Sequence, residues 1–195
     1  MKTLRMHLSV AAVAFAVAGC ASSHYARTDV GTLEGKLIVE WYEPDKFIFR
    51  ADENNPLKFT RKNGEVIQPV DFWTDGGSIP RWFWALKNYS PWGYAPSYII
   101  HDYLFYSHYC DQPPGINHTL KSAADVISEV QKTMMEAPDF DFGDKLTVYR
   151  IYLAVQSPWA ADAWDNSDCP GDPPTVLKSR SPTAVFELSY PPAKQ

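Results

Sequence analysis

The sequence predicts an α+β fold, in which an N-terminal antiparallel sheet is packed by three helices within a single domain. Three observations carry that prediction. Short runs rich in β-branched and aromatic residues occupy the first part of the chain: Lys36–Tyr42, Lys46–Arg50, Leu57–Arg61, Glu65–Ile67 and Val70–Trp73. Longer segments with apolar residues at helical spacing follow, each between recognisable start and stop residues. The chain of 195 residues is long enough to bury one core, and no internal repeat divides it.

The elements follow in order. Asn63-Gly64 joins two of the strand runs and predicts a two-residue hairpin, since both central residues of a type I′ turn need positive φ. Pro96 suits the first turn of a helix running to about Tyr109. Asn117 or Thr119 caps a second helix with an apolar stripe of Leu120, Ala123, Ala124, Ile127, Val130 and Met134, ended by Pro138. Asp141 is placed to cap a third, which runs through Tyr149 and Leu153 to a break at Ser157-Pro158. Beyond Cys169 the chain is rich in Pro and Ser, and the alternation of Phe186, Leu188 and Tyr190 predicts an edge strand. The expected organisation is a leader over 1–19, a polar tether over 20–32, one domain over 33–168 and an extension over 169–195.

The leader has a basic start at Lys2 and Arg5, an apolar run from Leu8 to Val17, and the small residues Ala18 and Gly19 before Cys20. The apolar run is shorter than the roughly 20 residues that a membrane span needs. The segment resembles a bacterial lipoprotein signal, and that resemblance implies acylation of Cys20, with a membrane partner reached through the lipid. In such proteins of enteric bacteria an Asp after the cysteine gives inner-membrane retention; Ala21 implies the outer membrane, with the domain facing the periplasm. A plain secretory signal cut after Ala18 or Ala21 is the alternative. The remaining cysteines, Cys110 and Cys169, form one pair suited to an oxidising compartment. A bridge between them closes a loop of about 60 residues and contributes roughly 4 kcal/mol on the chain-entropy account.

The 18 basic and 23 acidic side chains give a net charge of −5, which becomes −7 when Lys2 and Arg5 leave with the leader. With no basic stripe, a nucleic-acid partner is not expected. Seven Trp, eleven Tyr and ten Phe point to an aromatic core. There is no Gly-x-Ser-x-Gly elbow and no His-Glu-x-x-His, which disfavours an α/β serine hydrolase and a zincin protease.

The segment Thr74-Asp75-Gly76-Gly77-Ser78-Ile79-Pro80-Arg81 and the later His101-Asp102-Tyr103-Leu104 concentrate polar groups in an aromatic setting. They resemble domain-of-unknown-function family 1353 of bacteria and phages, whose members carry Thr-Asp-x-x-Ser-Ile-Pro-Arg and His-Asp-Tyr-Leu-Tyr segments. The resemblance covers roughly Leu57 to Gln156, and implies a core fold without an activity. From the residues themselves, Asp75, His101 and Asp102 are candidate catalytic residues, and Ser78, Arg81 and Asp125 are candidate binding residues. Buried polar groups need partners, so a rigid hydrogen-bonded corner is the structural reading of the same set.

Two functions stay open at this point. One is an envelope lipoprotein whose domain is a binding or structural module. The other is an envelope hydrolase of lipid or cell-wall material, with His101 as general base and Asp75 or Asp102 orienting it or holding Ca²⁺ or Zn²⁺. Secreted phospholipases A2 carry a similar kit, a helical His-Asp pair and a Gly-rich loop, though their flanking cysteines are absent here. Exposure separates the two readings: a general base must open onto a pocket, whereas a structural imidazole is enclosed.

Overall fold

A helix with apolar residues on every face has to be wrapped on every side, and the architecture is built around one such helix. The computed structural model describes residues 19–43, 46–74, 94–137, 144–173 and 181–190. Among these, β1 (Thr32–Tyr42), β2 (Lys46–Ala51), β3 (Lys58–Thr60), β4 (Val66–Ile67) and β5 (Phe72–Thr74) form an antiparallel sheet with the later β6 (Ala184–Tyr190). The helices are α1 (19–27), α2 (Ala95–Tyr109), α3 (Leu120–Met135), α4 (Lys145–Ala154) and α5 (Pro158–Asn166). The α+β class is as expected, with α1 and α5 added to the three helices read from the sequence.

The strand β1 organises the sheet. Its residues 37–41 pair with β2 and also with β6, so those two strands lie on opposite edges of β1. Its first residues pair instead with β3, Leu33 facing Phe59. The strand changes partners at Gly35, whose φ of 103° is open to glycine and where a Cβ would run into the Pro56 carbonyl. The hairpin at Asn63-Gly64 forms, but not with the type I′ turn expected. Gly64 N–H donates to the Arg61 carbonyl and Arg61 N–H to the Glu65 carbonyl, leaving three residues in the loop. Gly64 has positive φ and Asn63 does not; the Asn63 side chain instead accepts from Glu65 N–H. That is a tight turn closed by one left-handed glycine, the commonest three-residue solution.

Leu37, Phe49, Leu57, Phe59, Ile67 and Phe72 of the sheet layer pack onto α2, where every residue from Ala95 to Ser107 is buried. The other side of α2 is covered by α3, through Ala123, Ala124, Ile127 and Val130. Thr119 caps α3 as expected and forms a reciprocal capping box with Ser122. Burial on α3 extends past the apolar stripe to Ser128, Glu129 and Gln131, because further elements cover a second face. The cap of α4 is Asp144 rather than Asp141, which lies outside the described residues. Ser157-Pro158 ends α4 and also starts α5, with the Ser157 hydroxyl accepting from Ala160 N–H.

The stretch 20–32, expected as a polar tether, is helical over 19–27 and docked. Ala21 is 2% exposed. His24 contacts the Ser128 hydroxyl at 3.1 Å and packs on the Tyr152 ring at 4.1 Å between centroids. Lys132 donates to the carbonyls of Tyr25 and Thr28 and lies over the Tyr25 ring. The tether reading took the polarity of Ser22, Ser23 and Arg27 at face value and passed over the helical spacing of Ala21, His24, Tyr25 and Thr28.

Cys110 sits at the C-terminal end of α2 and is bonded to Cys169, beyond α5, with Cα atoms 4.7 Å apart. The Tyr106 hydroxyl donates to Asp172 at 2.7 Å and holds the following residues on the same helix end. Since the bridge closes a loop of 59 residues, Cys169→Ala should lower unfolding free energy by about 2–5 kcal/mol, read by equilibrium denaturation under oxidising conditions. An unchanged midpoint would show that the chain termini are held without it.

Candidate functional site

The described candidate residues fall into two regions, one closed and one open. In the closed region, α2 carries His101 and Asp102 as neighbours, about 100° apart around the helix axis. Asp102 faces the sheet, where its carboxylate accepts from the Thr74 hydroxyl at 2.6 Å. Thr74, the first residue of the Thr74–Arg81 segment, therefore meets the helix. Asp75, Ser78 and Arg81 lie outside the described residues.

His101 faces the other way. Its Nδ1 is 3.1 Å from the Ala123 carbonyl of α3, and its ring lies against Phe105. The side chain is only 4% exposed. Burial pushes its pKa down to about 4, against a smaller upward pull from the Ala123 carbonyl. The two residues thus address different layers of the fold and do not converge on a common point. Among the described residues, no group of three or more His, Cys, Asp or Glu is placed to hold a metal ion.

The open region is a cleft of about 290 Å³ between α1, α3 and the β3–β4 hairpin, lined by His24, Arg27, Arg61, Asp125, Glu129 and Tyr152 among others. Of the described sequence candidates Asp125 alone lines it, and there it pairs with Lys121 at 2.8 Å across one helical turn. The floor is an ion-pair network. Arg61 donates to both oxygens of Glu129, at 2.8 and 2.6 Å, and to Glu65 at 2.8 Å. Glu65 also meets His118 Nε2 at 2.7 Å, and the other ring nitrogen of His118 meets Ser122. Burial would raise the Glu65 pKa, but Arg61 and His118 outweigh it and hold the group below the usual carboxylate range. His118 is 8% exposed.

Sequence reasoning missed His24, Arg27, Arg61, Glu129 and Tyr152. One signal was present. Glu129 lies three residues from Val126 and one from Val130, inside the apolar run of α3, and an acid so placed implies a basic partner from another element.

The fold and these two regions define an α+β domain with a closed His-Asp pair on its central helix and an open polar cleft at its N-terminal edge. Comparison with known families agrees with the motif resemblance. The family model described as Protein of unknown function (DUF1353) matches residues 53–149, and through that stretch the chain belongs to this family. No curated protein and no solved structure matches the chain. No described helix is long and apolar enough to cross a membrane.

The His101 environment fixes a pH dependence. The unfolded imidazole titrates near its ordinary 6.5 and the folded one near 4. Between those values the unfolded chain binds a proton that the folded chain refuses, so this contribution is complete above pH 6.5 and is lost as pH falls toward 4. The loss assignable to His101 is on the order of 3 kcal/mol. Denaturation midpoints measured from pH 7 to pH 4 should fall in the wild-type chain and fall less steeply in His101→Gln. Equal slopes for the two would refute the assignment.

Proposed function

We propose that the chain is a bacterial envelope lipoprotein, anchored in the outer membrane through Cys20, whose domain is a non-catalytic binding or structural module. The observation that carries the non-catalytic part is the enclosure of His101. A general base must come within hydrogen-bond reach of a substrate proton, directly or through one water. This imidazole spends Nδ1 on the Ala123 carbonyl, packs on Phe105 and is 4% exposed. Asp102 turns toward Thr74 and does not orient it.

The anchor rests on the leader pattern, and two observations support it. Cys20 is exposed, and it stands outside the disulfide that takes up the other two cysteines. A polyacylated cysteine gives stable attachment, since each buried CH₂ contributes about 0.8 kcal/mol.

Two experiments test the proposal. Metabolic labelling with a fatty acid should mark the wild-type chain, and Cys20→Ala should abolish both label and membrane attachment; undiminished labelling removes the anchor. A screen of the purified chain on phospholipids and peptidoglycan, with and without Ca²⁺ or Zn²⁺, should show no turnover. Turnover that disappears in His101→Gln at an unchanged melting temperature would restore the hydrolase reading.

A further inference from the structure

The cleft between α1 and α3 carries a charge arrangement that the fold does not use up. Arg27 lines it, is exposed, and makes no hydrogen bond or ion pair among the described residues. The other charges are matched. Arg61 is held by Glu129 and Glu65, Asp125 by Lys121, and Asp29 by Lys62. The last two pairs differ from the first in exposure. Lys121 and Asp125 are 68% and 36% exposed, Lys62 and Asp29 68% and 49%. Exposed pairs of this kind hold weakly and exchange partners readily.

These facts restrict what can sit there. A simple anion drawn to Arg27 would also face Asp29, Asp125 and Glu129. A simple cation drawn to those carboxylates would face Arg27. A molecule carrying both signs meets each with its complement. The wall supplies the remaining contacts. The His24 and Tyr152 rings, 4.1 Å apart and tilted at 35° to each other, form one side, and burial keeps His24 below the ordinary imidazole range, so it adds no cation of its own near neutrality. At about 290 Å³ the cleft has the size of a small-molecule site.

We infer that the cleft binds a small zwitterion, an oxyanion joined by a short link to an ammonium, with Arg27 holding the oxyanion and Asp125 or Asp29 the ammonium. The guanidinium fork matches the geometry of a phosphate or carboxylate. This rests on the binding-module reading and not on acylation of Cys20. If Cys20 is acylated, however, seven residues of helix separate it from Arg27, about 10 Å along the axis, which is within reach of lipid headgroups. The ligand then has two sources, a free metabolite or the headgroup of a phospholipid.

The test is calorimetric titration of the purified exported chain with phosphoethanolamine and with β-alanine, beside inorganic phosphate, acetate and ethanolamine as the separate halves. At least one zwitterion should bind about tenfold or more tightly than either of its halves. Arg27→Gln should lose that advantage while keeping the wild-type melting temperature, since its side chain holds no other element in place. Asp125→Asn or Asp29→Asn should weaken the zwitterion and ethanolamine without weakening phosphate, and an unchanged zwitterion affinity in both variants overturns the inference. Flotation of the unacylated Cys20→Ala chain with phosphatidylethanolamine vesicles, against vesicles of phosphatidylcholine, separates the sources: Arg27-dependent binding to the first assigns the headgroup, and its absence assigns the free compound. Equal affinity for zwitterions and halves, or an Arg27→Gln variant that binds as wild type, overturns the inference. The labelling and hydrolysis assays read the broader proposal independently, so a null result here removes the zwitterion site alone.

Discussion

The enclosure of α2 is the constraint on which the rest of the structure depends. Every residue from Ala95 to Ser107 is buried, and four of them are polar: Ser97, His101, Asp102 and Ser107. A buried polar group without a partner costs a few kcal/mol, so each of the four must be met. Three parts of the molecule meet them: α3, β5 and the turn at Gly115. Ser97 accepts from Gln131 of α3 and donates to Tyr94. His101 meets the Ala123 carbonyl and Asp102 the Thr74 hydroxyl of β5. Ser107 accepts from Gly115 N–H, in a short turn approaching so closely that a Cβ on Gly115 would strike the helix backbone. The polar residues of the helix thus fix the layers around it in register, a specificity that apolar contact alone does not supply.

A second constraint works at the other edge. Arg61 joins the β3–β4 hairpin to α3 through two bonds to Glu129 and one to Glu65, and His118 extends the set. Taking these charges out of water is costly, and geometry of this quality is what lets the attraction repay it. The network leaves no member unmatched, so its contribution is to orientation more than to net stability. It holds the hairpin against α3 at the place where α1 arrives, and Gly31 N–H then bonds the Thr133 hydroxyl to complete the edge.

How much of this was legible depends on whether a residue's partner is near in sequence. The strands, the Thr119 cap, the Cys110–Cys169 pair and the alternation in β6 all follow from local pattern or simple arithmetic, and the structure has each of them. The docked α1 was not legible as such. Its anchoring contacts come from Ser128, Lys132 and Tyr152, more than a hundred residues away. The turn at Gly64 was half legible: Asn-Gly names a hairpin, but the Asn63 side chain bonding Glu65 N–H favours the three-residue form. The site divides the same way. Asp125 pairs with Lys121 one turn off, whereas Arg61 and Glu129 are 68 residues apart and meet only in the fold.

The same logic explains why the His-Asp pair invited a catalytic reading that its surroundings do not favour. A histidine and an aspartate in apolar company signal that something polar must meet them, and that inference is sound for a catalyst and a clasp alike. What separates the two is direction. Consecutive residues on a helix diverge by about 100°, so a pair acting on one substrate needs a cleft wide enough to expose both faces. Here the helix has no open face over these residues; one side is closed by α3 and the other by the sheet. The proposed binding site accordingly lies where that wrapping ends, at the rim that carries Arg27.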